Sequence, residues 1–137
     1  MSDGFALALQ KSVRATLAAD SAVSSYVAGR IYDEAPTSVT HPFIRFGNIT
    51  PSADDTDGST GAEVSLNIEA FSQATGRVEA TQIAEAVRAA LHRQESSVSL
   101  TGFNLIEMRC EQYVVTRNSD DRGHTASVIL TAMLQTA

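Results

Sequence analysis

Tyr32, Asp33, Glu34 and His41 fall within the stretch "RIYDEAPTSVTH" and are the residue types from which an acid–base set is made. General acid–base work needs such groups brought within hydrogen-bond reach of one point, with pKa values matched to the task. The sequence shows no such convergence, because Asp33 and Glu34 lead into a turn at Pro36, a setting in which acids are solvated. "DDTDG", from Asp54 to Gly58, has the look of a calcium loop. With Gly58 at the invariant glycine place, Asp55 and Asp57 fill the third and fifth ligand places. The first place is then Ala53 and the twelfth Val64, so the bidentate acid is missing and the motif fails.

The remaining candidates are isolated. His41, His92 and His124 lie far apart, with no H-x-x-x-H or Cys partner spacing, and each reads as a surface or strand-end residue. Cys110 reads as a small core hydrophobe. A pair between it and His92 or His124 lacks any local activating motif. The glycine before "RVEA", Gly76, opens a helix that could hold an anion, but one glycine without a G-x-G-x-x-G pattern is a weak signal. The expectation is therefore a protein that is not an enzyme, with no catalytic, cofactor-binding or metal residues.

The bulk numbers agree. The chain has 137 residues, 43% apolar and 19% charged, which describes one domain over residues 1–137 able to bury its own core. No apolar run approaches the roughly 20 residues that cross a bilayer. "MSDGFALALQKS" lacks the basic start of a secretory signal. A single cysteine allows no internal disulfide and suits a reducing compartment. Sixteen acidic against ten basic residues give a net charge of −6, with Lys11 the one lysine and the arginines scattered. Such a surface is wrong for gripping DNA, which requires clustered Lys and Arg, but suits one along which DNA must slide.

The elements follow from periodicity. Phe5, Leu9, Val13 and Leu17 predict an amphipathic helix begun by Ser2 or Asp3, and Asp20 caps a second, short helix that Gly29 ends. "RIYDEAP" is a short extended piece, and Phe43–Thr50 a strand. Residues 51–62, without a large apolar side chain, predict a long exposed loop. Val64, Leu66, Ile68 and Ala70 alternate with polar residues in the clearest strand of the chain. Ile83, Val87 and Leu91 mark a second long helix. Ile106, Met108, Cys110 and Val114 are expected to share one face of a strand from Phe103 to Thr116. After the turn "RNSDDRG", Ala126, Val128, Leu130, Ala132 and Leu134 align in the last strand. The fold class is α+β: an antiparallel sheet of about four to five strands with two long helices packed on one face.

With this order in hand, the chain resembles a large phage-encoded family first catalogued as a domain of unknown function. The family is associated with tail completion, or tail termination, in long-tailed phages and gene transfer agents. The matching features are Gly29 to Asp33 with Pro36, Pro42 to Ile44, Phe71 with Ser72, and the Gly-led helix from Gly76 to Leu91. The resemblance implies a tail-terminator-like fold, no enzymatic activity, and a homo-oligomeric ring, typically six-fold, capping the tail tube on its head-proximal side. The implied partners are the tail tube protein and the head–tail connector or stopper protein, with DNA passing through the lumen unbound. The implied location is the virion, with assembly in the host cytoplasm and no membrane. Another neck component, such as a head-completion or stopper protein, stands as the nearer alternative. A small α+β ligand-binding domain or enzyme is the farther one.

The resemblance fixes no pattern for the acidic residues, so the expected contact residues rest on charge and exposure. They are Asp33 and Glu34 before the proline turn, Asp54, Asp55, Asp57 and Glu63 around the long loop, and Asp120 and Asp121 in the last turn.

Overall fold

The computed structural model describes residues 4–53, 60–96, 98, 100–118 and 123–136. Its elements are α1 (Phe5–Ala19), α2 (Ser21–Val27), β1 (Ile31–Tyr32), β2 (Phe43–Ala53), β3 (Gly61–Ser72), α3 (Val78–Leu91), β4 (Phe103–Arg117) and β5 (His124–Thr136).

The helices form where the apolar spacing places them. In α1, Leu9, Val13 and Leu17 are buried on one stripe together with Ala8. Its N-cap is Gly4, with no side-chain cap bond, and not Ser2 or Asp3; both of those lie outside the described residues. Asp20 caps α2 as its type predicts, its Oδ2 accepting from the Val23 N–H at 3.0 Å. That helix stops on two consecutive left-handed residues, Ala28 (φ 50) and then Gly29 (φ 81). In α3 the buried stripe is Ala80, Ile83, Ala84, Val87 and Leu91, and its two alanines let the helix lie close to the sheet.

The five strands form one sheet in the order β1-β2-β3-β5-β4. Every pairing is antiparallel except β1 with β2, which is parallel. The sheet is thus mixed, which corrects the all-antiparallel expectation at one edge. Antiparallel neighbours need only a tight turn, whereas residues 33–42 are long enough to carry the chain back to the start of β2. The helices cover one face: α3 packs on β3, β4 and β5, and α1 on β2 and β3. On that face the even-numbered residues of β3 and β5, from Ala62 to Ser72 and from His124 to Leu134, are buried.

Two strand expectations are corrected. The strands reach into the span expected as a loop over 51–62, because Pro51, Ser52 and Ala53 pair with Val64, Glu63 and Ala62; residues 54–59 of that span lie outside the described residues. Cross-strand pairing overrides turn-like composition there. Second, Ile106 and Val114 do not share a face with Met108 and Cys110. Register shifts at Leu105/Glu107 and Arg109/Gln112 each insert one extra residue into β4, and a one-residue slip turns every later side chain to the other face. Leu105, Tyr113 and Val115 take the inward places instead, against the core, leaving Ile106 52% and Val114 45% exposed.

Candidate assembly interface

The residues whose types suggested chemistry are built into the scaffold. The Tyr32 ring lies 6.0 Å from that of Phe43, and the His41 ring packs edge-on to Phe43 at 5.0 Å. Phe43 itself stacks on Phe71, centroids 4.9 Å apart. Arg45 covers the Phe71 ring at 4.9 Å and pairs with Glu69 at 3.1 Å. This aromatic cluster occupies the sheet face that no helix covers. Asp33 and Glu34 are exposed and do not meet His41 in an acid–base set. They line an open recess of about 610 Å³ with Arg45, Gly47, Asn67 and Glu69. Gly47 packs closely there: a Cβ would stand 3.2 Å from Asn67 Cβ and 3.3 Å from the Glu69 carboxyl, so either side chain would have to shift slightly.

The other singled-out residues are dispersed. Cys110 is buried, and desolvation pushes its thiol up to about 12, the opposite of an activated nucleophile. His124 is buried beside Ser72 in the β3–β5 register, and its Nδ1 has no hydrogen-bond partner among the described residues. Ser72 is engaged elsewhere: its Oγ donates to Glu79 Oε1 at 2.7 Å and accepts from the Ala74 N–H. That arrangement organises the start of α3. Glu63 is exposed on β3, opposite Ser52. Asp54, Asp55, Asp57, Asp120 and Asp121 lie outside the described residues, as does the core of the "DDTDG" motif. Among the described residues, no three His, Cys, Asp or Glu side chains gather in a way that could hold a metal ion.

What the sequence pattern did not reveal is the treatment of the sheet's edges. Unpaired edge backbone is a template for foreign strands unless it is covered or blunted. Along β4, the Met108 N–H donates to Glu95 Oε2 at 2.8 Å, and the Met108 carbonyl accepts from the Arg93 N–H at 2.9 Å. Beside it, the Cys110 N–H donates to His92 Nδ1 at 3.0 Å and the Cys110 carbonyl accepts from Arg88 Nε at 2.7 Å. The end of α3 and the residues after it thus act as a substitute strand. Accepting through Nδ1 means that His92 carries its proton on Nε2. The Glu95 carboxyl is held below the usual carboxylate range, first by the Met108 N–H bond.

The opposite edge is closed in a different way. On β1, the Ile31 N–H donates to the Gly29 carbonyl at 2.9 Å, and the Ile31 carbonyl accepts from Arg14 Nε at 3.3 Å. Beyond β1, the free edge of β2 is interrupted by a register shift between Phe46 and Ile49. Pro51 interrupts it again. The Ile44 N–H points towards β1, donating to the Arg30 carbonyl. Carrying that alternation through the register shift points the Pro51 nitrogen to the same open side, where proline removes a donor without breaking the β2–β3 ladder.

After the second β4 bulge no such device operates. Tyr113, Val115 and Arg117 take over the alternation of Met108 and Cys110, so their N–H and C=O groups face outward. Among the described residues they meet no backbone or side-chain partner in that direction.

The whole architecture has known relatives. The family of tail completion protein gp17 matches over residues 11–135. The chain belongs to that family. This tail completion protein therefore falls in the class of structural virion tail proteins, as the quoted sequence features implied. Fourteen chains of solved structures match it. One is a chain of the virion of the native gene transfer agent (GTA) particle, 21% identical, covering 98% of this chain and 99% of that one, with a TM-score of 0.87. At that identity the likeness is one of fold. Among curated proteins none matches the sequence. Among the described residues, no helix is long and apolar enough to cross a membrane.

Proposed function

We propose that this tail completion protein is a tail terminator: a homo-oligomeric ring, six-fold, seated on the head-proximal end of the tail tube and joining tail to head. The observation that carries the reading is the family match across residues 11–135. The near end-to-end overlay on a chain of a GTA virion supports it. One face of the ring meets the last ring of tail tube protein, and the other meets the connector or stopper. A net charge of −6 per subunit, repeated around the ring, repels the DNA that passes through the lumen, so the genome travels without sticking.

The protein contributes surface and no chemistry. The recess beside Asp33 and Glu34 is lined by polar and charged side chains. It is unlike the largely apolar, enclosed clefts that bury small ligands.

The decisive experiment is negative-stain imaging of particles made without this protein. A terminator's loss gives overlong or headless tails. Filled heads that leak DNA would instead mark a stopper and overturn the assignment.

A further inference from the structure

Among the described residues, two stretches of backbone left without partners match each other. One is the β4 edge at Tyr113, Val115 and Arg117. The other is the connection from Asp33 to His41, whose backbone takes part in no backbone–backbone hydrogen bond among the described residues. We propose that, in the ring, the Ala35–Thr40 segment of one subunit adds as an extra antiparallel strand to the β4 edge of the next. The inference rests on the ring reading and names its interface.

Position favours this pairing. One row of paired residues crosses the entire sheet, Ile31–Ile44–Ala70–Ala126–Val115. The donor segment leaves β1 just after that row, and the acceptor edge is centred on it at the opposite side. Donor and acceptor therefore lie on opposite flanks of the same sheet. A contact of this head-to-tail kind repeats around an axis and, when the rotation closes, forms a ring. Sheet-to-sheet continuation through β2 would instead meet the register shift and Pro51.

The side chains fit one register, in which Val39 faces Tyr113, Thr37 faces Val115 and Ala35 faces Arg117. Residues 35, 37 and 39 then carry the inter-subunit hydrogen bonds. Pro36, which has no N–H, falls at a place whose nitrogen points away, so it costs nothing. Thr opposite Val is a β-branched pair suited to a pleated surface. Arg117 is exposed and has no ion pair among the described residues. In this register it stands beside the exposed acids Glu34 and Asp33 of the neighbour. Main-chain bonds supply the affinity and the charge pair the direction, as in other strand additions.

The test is made in assembled particles, where copy number can be read independently. Cysteines placed directly opposite one another in paired strands lie within disulfide reach. The Thr37→Cys, Val115→Cys double variant, once oxidised, should give a ladder of covalent oligomers, while either single variant stays monomeric on a denaturing gel. Cys110 is fully buried and its thiol is hard to ionise, so it adds no background. In parallel, Arg117→Glu should reduce incorporation several-fold, and adding Glu34→Arg should restore it. A ring that assembles without the ladder and ignores the charge swap overturns this interface and leaves the ring standing. Dimers from Val115→Cys alone would show β4 pairing with itself, which also overturns it. Particles holding a single copy would overturn the ring reading as well.

Discussion

Gly123 is where a single residue decides most. It sits at φ +76, and a Cβ there would stand 1.8 Å from the Ser72 carbonyl oxygen. The start of β5 is thus laid against the end of β3 with no room for a side chain. Gly123→Ala combines a left-handed backbone, costing about 1–2 kcal/mol for an L-residue, with a backbone collision. It should destabilise the protein by at least that amount in denaturant unfolding. An unchanged midpoint would mean that the turn relaxes freely. Cys110 gives a second prediction at this scale. Its thiol stays neutral in the fold up to about pH 12, whereas in the unfolded chain it ionises near 9.0, the ordinary value. Folding stability should therefore fall as pH rises from about 9 towards 12, and Cys110→Ser should flatten that decline. Native protein at pH 8 should resist thiol reagents until it unfolds. Glu95 works in the other direction. Its lowered pKa stabilises the fold above the unfolded value of 4.5, and that contribution is lost as pH falls through the folded value. Glu95→Gln should weaken the acid dependence.

Among the elements, α3 holds the layers together. It packs on β3, β4 and β5 as well as on α1 and α2, and Leu91 is fully buried near its end. Leu91→Ala should cost about 2–5 kcal/mol, the range for a large buried aliphatic, measured by denaturant unfolding. A change below about 0.5 kcal/mol, typical of surface sites, would mean that this end of the helix carries no packing. The stripe Ile83, Val87 and Leu91 was legible from spacing alone, as were the alternations of β3 and β5, because a strict period survives wherever pairing is regular. The faces of Ile106 and Val114 were not, since a bulge leaves no mark in composition yet reverses everything after it. The parallel β1 was hidden for a similar reason: two residues carry no period, and their direction is set by the chain that follows. For the proposed assembly surface, the exposure of Asp33 and Glu34 was readable from the proline turn. The open β4 edge was not, because the bonds that Arg88 and Arg93 donate to β4, and that His92 and Glu95 accept from it, depend on how α3 lands.

At the scale of the whole molecule, one sheet is covered by helices on one face and guarded along most of its rim. The guard on β4 is a set of four bonds from residues 88–95, and two of them come from side chains that accept from strand N–H groups, His92 and Glu95. Replacing both with alanine removes those acceptors without touching the apolar core. Each orphaned N–H costs roughly 1–3 kcal/mol where it stays buried. Where the edge opens to solvent, those N–H groups turn to water, which a strand from another chain can displace by pairing with the whole row. The open stretch from Tyr113 to Arg117 would then be joined, across the bulge, by the freed N–H groups of Cys110 and Met108, a longer template for edge-to-edge pairing even with the Arg88 and Arg93 bonds in place. We expect the His92→Ala, Glu95→Ala protein to remain folded by circular dichroism but to form concentration-dependent aggregates by light scattering. The unmodified chain should stay clear under the same conditions. Should the double variant remain as dispersed as the parent at equal concentration, the α3 end is merely packed beside β4, and the control of the edge lies elsewhere.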